Sequence, residues 1–158
     1  MAKLVRINMA DRTYQMEDLP DKYKYLAGRG LTSSIVADEV DPLCHPLGPH
    51  NKLVFSPGYV TGTSAPTSAR ISAGAKSPLT GAWADSNSGG YWGPELKYAG
   101  YDAVFINGVS KEPVYLSIVN GKAELEDASH VWGKDTRETD KIIKKDMEDE
   151  EAKILCIG

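Results

Sequence analysis

The first pattern along the chain has a period of two. In KLVRINM, Leu4, Ile7 and Met9 sit among Lys3, Arg6 and Asn8, which predicts a strand. Asp11-Arg12 predicts a turn, and TYQMEDL the returning partner of a hairpin. Pro20 opens a helical stretch that AGRGL interrupts. Leu31, Ile35, Val36 and Val40 then recur at helical spacing through LTSSIVADEV, until Asp41-Pro42 ends the run. CHPLGPHN, residues 44–51, predicts a loop, and LVFSPG a short strand. Residues 60–90 are rich in Gly, Ser, Thr, Ala and Pro, a composition that a flexible linker shares. They contain the strand-like pieces ARISAGAK and GAWADS. The segment therefore reads as small-residue strands and turns whose backbone another group approaches closely.

The second half continues in the same alternation. A helix is predicted over residues 88–98, then a buried strand in YDAVFINGV. EPVYLSIVNGKAELED predicts a second hairpin, with Asn120-Gly121 as its turn. ASHVWG predicts a loop and DTRETDKIIKKDM a helix. Asp135 is its cap, Glu138 the capping-box partner, and Ile142, Ile143 and Met147 are its core face. AKILCIG predicts a final strand. Two strand–hairpin groups, each with helices, give an α+β fold class: a β-rich domain with three to four helices. The chain breaks off at Gly158 just after a strand, as a fragment or a naturally short subunit would.

Size and composition narrow the function classes. At 158 residues the chain suits one domain, and 41% hydrophobic with 25% charged residues marks it as globular. A net charge of -4 argues against a nucleic-acid binder. The acidic run DMEDEEAK reads as a solvated helix end. Cys44 and Cys156 are the two cysteines and form no Cys-x-x-Cys pair, so this chain's cysteines alone cannot build a zinc site or an iron–sulfur cluster. Without an apolar leader core or a membrane-length run, the expectation is a soluble cytoplasmic protein with reduced thiols and no membrane contact.

Candidate chemistry concentrates in NSGG and its surroundings. A helix starting after Asn87, Ser88, Gly89 and Gly90 would present unbonded N–H groups and partial positive charge to an anion. An ordinary N-cap with flexible glycines is the plainer reading of these residues alone. The segment is neither a P-loop nor a GxGxxG fingerprint. Arg70, among small uncharged residues, suits a bidentate grip on phosphate or a planar heterocycle, or else a surface ion pair. Arg29 in AGRGL is either a helix-break residue or a second anion ligand. His45, His50 and His130 stand in loops, and no carboxylate spacing marks an acid–base pair. The residues by themselves offer binding without a catalytic machine.

Several long strings are more specific. AGRGL, DPLCHPLGPHNKLVFSPGYVTGTSAPTSAR, AKSPLTG, NSGGYWGPELKYAGYDAVFING and ASHVWGKDTRET resemble the N-terminal domain of the tungsten-containing aldehyde ferredoxin oxidoreductase family. The likeness runs from Arg6 to Gly158. It implies a base for a bis-pterin cofactor carrying tungsten or, rarely, molybdenum. It also implies an iron–sulfur cluster, a magnesium ion between the pterin phosphates, small aldehyde substrates and ferredoxin as electron partner. Carried over by motif, Arg70, Asn87 and Gly89 contact a pterin and its phosphate, Ser88 and Gly90 lie beside them, and the Asn87 carbonyl serves magnesium. Family members are several times longer, and their cluster cysteines and substrate pocket lie beyond the equivalent of Gly158. The expectation is one incomplete domain over residues 1–158. It is inactive alone and completed by the rest of an enzyme, a partner subunit or self-association. The alternative is a stand-alone subunit or scaffold that has lost the cofactor. Ser68-Ala69 stands where many relatives have a glycine pair before the arginine, which narrows the approach to the ligand.

Overall fold

A computed structural model describes residues 3–157. The predicted hairpin forms from β1 (Lys3–Asn8) and β2 (Thr13–Asp18), with Lys3 opposite Asp18 and Asn8 opposite Thr13. After a 3₁₀ turn at Asp21–Tyr23 comes α1 (Gly28–Glu39), then β3 (Lys52–Pro57), β4 (Ile71–Lys76) and β5 (Trp83–Ser88). The chain continues through α2 (Trp92–Tyr98), β6 (Ala103–Asn107), the β7 (Val114–Val119)–β8 (Lys122–Asp127) hairpin and α3 (Thr136–Asp146). Six strands form one sheet in the order β2-β1-β6-β3-β4-β5. Its β1–β6 pair is parallel and its other pairs are antiparallel. The α+β class is as predicted.

The two faces of this sheet are covered differently. Alternation sends Leu4, Val54, Ala103 and Phe105 to one face, where Leu31, Ile35, Val36 and Val40 of α1 pack on them. Val5, Ile7 and Val104 point the other way, into a core closed by Leu96 of α2, Tyr101 and Ala123 of β8. Burial of each large side chain here stabilises the fold by about 1.5–3 kcal/mol. The small residues of β4 let α1 come close: a Cβ on Gly74 would lie 2.7 Å from the Thr32 Cβ. The segment that composition alone allowed as a linker is thus a β4–β5 wing clamped under a helix.

Two element predictions outside the β4–β5 corner need correction. AGRGL does not interrupt the helix but forms its first turn. Ala27 is the N-cap, and the Gly28 N–H donates to the Ser56 hydroxyl of β3 at 3.0 Å. A cap supplied from a distant strand carries no local sequence signal. AKILCIG is not a strand among the described residues. Its backbone runs free of any ladder, with Ile154 packed near Ile143 and Tyr115 and Ile157 94% exposed. Alternating hydrophobicity favours a strand only where a neighbour supplies the pairing. By contrast α3 starts as its sequence reads: Asp135 accepts from the Arg137 and Glu138 N–H groups at 2.9 and 2.8 Å. The reciprocal Glu138 side-chain bond is not formed among the described residues.

Candidate functional site

The β4–β5 ladder decides where the expected residues fall. Ser72 pairs with Asn87 and Ile71 with Ser88. Arg70 directly precedes β4, and its carbonyl accepts from the Gly58 N–H at 3.1 Å, so the β3–β4 ladder runs on past the strand. Gly89 and Gly90 follow β5. Arg70, Asn87, Ser88, Gly89 and Gly90, distant in sequence, therefore meet at one corner of the sheet. The Ser72 hydroxyl donates to Asn87 Oδ1 at 2.8 Å, and Asn87 Nδ2 donates to Asp85 Oδ2 at 2.9 Å. These two bonds fix the Asn87 side chain.

The helix beside this corner is not the expected one. The predicted helix over residues 88–98 starts only at Trp92 and lasts one and a half to two turns. Ser88 remains in the ladder, and Gly90 has φ +99, which no helix accepts. Asn87 and Ser88 therefore end a strand instead of capping a helix, and the expected cradle at the mouth of a helix opened by Gly89 is absent. The helix start that faces the corner belongs to α1. A Cβ on Gly28 would stand 3.7 Å from the Ser72 hydroxyl and 4.0 Å from Gly58 Cα. Arg29, in the first turn of α1, is exposed and is a helical residue, not a break.

The chemistry of the corner fits the organic, anionic part of a large cofactor. The Arg70 guanidinium is exposed, with no hydrogen bond or ion pair among the described residues. A side chain on Gly89 or Gly90 would meet nothing within 4 Å, so packing does not require glycine at either position, although the backbone conformation at Gly90 does. The β4–β5 face away from α1 carries Ala73, Ala75, Ala84 and Ser86, small residues that a flat ring can approach. No group of three His, Cys, Asp or Glu side chains among the described residues could hold a metal. The donor set suits phosphate and a heterocycle, and no such side-chain cluster among the described residues would hold a metal unaided.

Sequence reasoning missed two features. Ser72, which orients Asn87, gave no signal beyond the small-residue composition around it. At the opposite end of the sheet a hollow of about 620 Å³ is lined by residues as far apart as Met9 and Trp132, with Leu53, Ala75 and Ile106 among them. No local pattern links such positions. Two of the histidines have local partners: His45 Nδ1 accepts from the Leu47 N–H at 3.2 Å, and His130 Nε2 lies 2.6 Å from Asp146 Oδ2. Among the described residues no helix is long and apolar enough to cross a membrane.

Comparison with known proteins agrees over nearly the whole chain. The profile of the family described as "Aldehyde ferredoxin oxidoreductase, N-terminal domain" matches residues 4–158. The chain is 43% identical to the tungsten-containing aldehyde ferredoxin oxidoreductase of Pyrococcus furiosus, and 45% identical to that of Pyrococcus abyssi. Each match covers 99% of this chain and 26% of the relative, so the chain spans about a quarter of their length. A solved structure described as the active site complex BamBC of benzoyl coenzyme A reductase, in complex with 1,5-dienoyl-CoA, superposes with a TM-score of 0.90 at 39% identity. That match covers 95% of this chain and 23% of the other. With one family profile running from residue 4 to residue 158, over the same strings that first carried the resemblance, the chain belongs to the aldehyde ferredoxin oxidoreductase family through its N-terminal domain.

Proposed function

We propose that this chain is the pterin-binding N-terminal unit of a tungsten-dependent oxidoreductase. It is one domain over residues 1–158 that acts with the remainder of a longer enzyme or with a partner subunit. The observation that carries the reading is the β4–β5 register, which gathers Arg70, Asn87, Ser88, Gly89 and Gly90 at one corner beside the start of α1. The names of the relatives supply the tungsten. When bound, a tungsten (or molybdenum) bis-pterin supplies low-potential redox chemistry, such as oxidation of an aldehyde to a carboxylic acid.

This chain's own part is positional. Arg70 neutralises and orients a phosphate with its two-pronged donor set. The glycines keep side chains out of the ligand's path. Ser72 fixes the Asn87 side chain, and the Asn87 backbone carbonyl would serve a magnesium ion accompanying the cofactor. The iron–sulfur ligands, the aldehyde pocket and the ferredoxin contact belong to the remainder in this reading, since this chain offers no ligand group for a cluster among its described residues. The likeness to a benzoyl coenzyme A reductase component supports a division of labour in which this domain holds the cofactor and other segments choose the substrate.

A natively purified assembly that includes this protein should carry tungsten or molybdenum together with pterin in a fixed ratio to protein, read by metal analysis and pterin fluorescence. A well-folded assembly with neither metal nor pterin would contradict the proposal and favour a scaffold that has lost its cofactor.

A further inference from the structure

We propose that Asn120-Gly121, the turn of the β7–β8 hairpin, is a spontaneous deamidation site of this protein. The sequence holds a second Asn-Gly pair, Asn107-Gly108, and the two differ in what the fold does with them. Asn-Gly is chemically prone because glycine leaves the following amide nitrogen unshielded. That nitrogen attacks the carboxamide carbon of the asparagine. The new N–C bond closes a five-membered succinimide, and the bond from the carboxamide carbon to its own nitrogen breaks. The attacking nitrogen's proton leaves with the departing amine as ammonia. Water then opens the ring at either carbonyl, giving aspartate or β-linked isoaspartate. Nothing is oxidised or reduced, and water is the sole co-reactant.

At Asn107 the fold opposes this reaction. Asn107 ends the interior strand β6, paired with Asn8 on one side and Lys52 on the other. Its carbonyl accepts from the Met9 N–H at 2.8 Å, and the Gly108 N–H donates to the Pro49 carbonyl at 3.3 Å. The attacking nitrogen is thus tied down, and freeing it requires opening a ladder. At Asn120 the situation is reversed. Asn120 is exposed, with φ 51, and Gly121 has φ 78, the pair of left-handed conformations of a two-residue hairpin turn. The flanking Val119 and Lys122 close the ladder. Neither the Asn120 side chain nor the Gly121 N–H has a hydrogen-bond partner among the described residues. Only the turn itself must flex to bring nitrogen and carbon together.

The product would matter to the fold. Isoaspartate adds a methylene to the main chain, and a two-residue turn cannot absorb it without shifting register. The Gly121 carbonyl accepts the hydroxyl of buried Tyr101 at 2.6 Å, and Ala123, two residues on, is fully buried in the core beneath the hairpin. Ageing at Asn120 would therefore loosen the cover of that core.

Trypsin separates the two sites, because Lys97, Lys111 and Lys122 place Asn107 in the peptide of residues 98–111 and Asn120 in that of residues 112–122. The purified protein is incubated in mildly alkaline buffer and sampled over days. Acid formation is read by mass spectrometry and isoaspartate by enzymatic methyl labelling. The 112–122 peptide should convert at least about fivefold faster than the 98–111 peptide, the factor that one net backbone hydrogen bond of about 1 kcal/mol represents. In urea the two rates should converge. Asn120→Gly, which keeps a turn-compatible pair, should abolish the signal in its own peptide alone. Equal rates in the folded protein, faster conversion at Asn107, or no folded-state conversion at Asn120 while the denatured sample reacts would each overturn the assignment.

Discussion

The centre of the main sheet and its β4–β5 wing are built on opposite terms. In the centre, Leu4, Val5, Ile7, Val54, Ala103, Val104 and Phe105 are at most 1% exposed, and both faces are covered. In the wing, β5 is exposed along most of its length and, after Trp83, its residues are small or polar. Apolar burial stabilises the centre. The wing depends on ladder bonds, on the approach of Thr32 to Gly74 and on the Ser72–Asn87 hydrogen bond. A region filled by its own side chains has no room left for a ligand, whereas one held by backbone and close approach keeps a surface free. The candidate corner lies in the wing for that reason.

Substitutions can break this contrast, beginning with the centre. Phe105→Ala should cost about 3–5 kcal/mol, since it empties a buried site and removes the ring under the Arg6 guanidinium. Chemical unfolding would check it, and a loss below about 1 kcal/mol would mean that the centre is not the stabilising half. Gly74→Leu should cost about 1–3 kcal/mol or more by overpacking, because even a Cβ there meets Thr32. An unchanged midpoint in the same assay would show that the wing is not clamped by α1.

A smaller effect belongs to the α1 layer. Asp38 accepts from the Tyr23 hydroxyl at 2.6 Å and pairs with Lys22, and these partners hold its carboxyl below the usual range, the Tyr23 bond first. A depressed carboxylate adds stability above its unfolded-state pKa and loses it as the pH falls through its folded value. Asp38→Asn should therefore flatten the acid limb of a plot of melting temperature against pH. A limb of unchanged slope would remove Asp38 from the account.

Legibility followed the same division. The centre was readable because alternation in KLVRINM and helical spacing from Leu31 to Val40 both report burial, and burial built those elements. Asn120-Gly121 and Asp135 were readable because turn and cap chemistry is local. The wing was readable as strands but not in its detail. The end of β5 at Ser88 depends on pairing with Ile71, and the cap of α1 depends on Ser56, so neither boundary is written near itself in sequence. The residues of the corner were marked first by their chemistry, glycines after Asn87-Ser88 and an arginine among small residues, and then by motif resemblance. That residues of the APTSAR and NSGG strings meet follows from strand register, which period-two reading alone does not supply.

The most direct measurement compares cofactor retention and stability in one variant, Arg70→Ala, within the assembled enzyme. An exposed arginine with no partner among the described residues should leave the melting temperature unchanged, with stability within about 0.5 kcal/mol of wild type. Loss of a charge-assisted phosphate contact of about 1.5–3 kcal/mol should weaken pterin retention about ten- to hundredfold on dialysis. Full retention of tungsten and pterin by a normally folded Arg70→Ala enzyme would contradict the claim that this corner of the wing holds the cofactor.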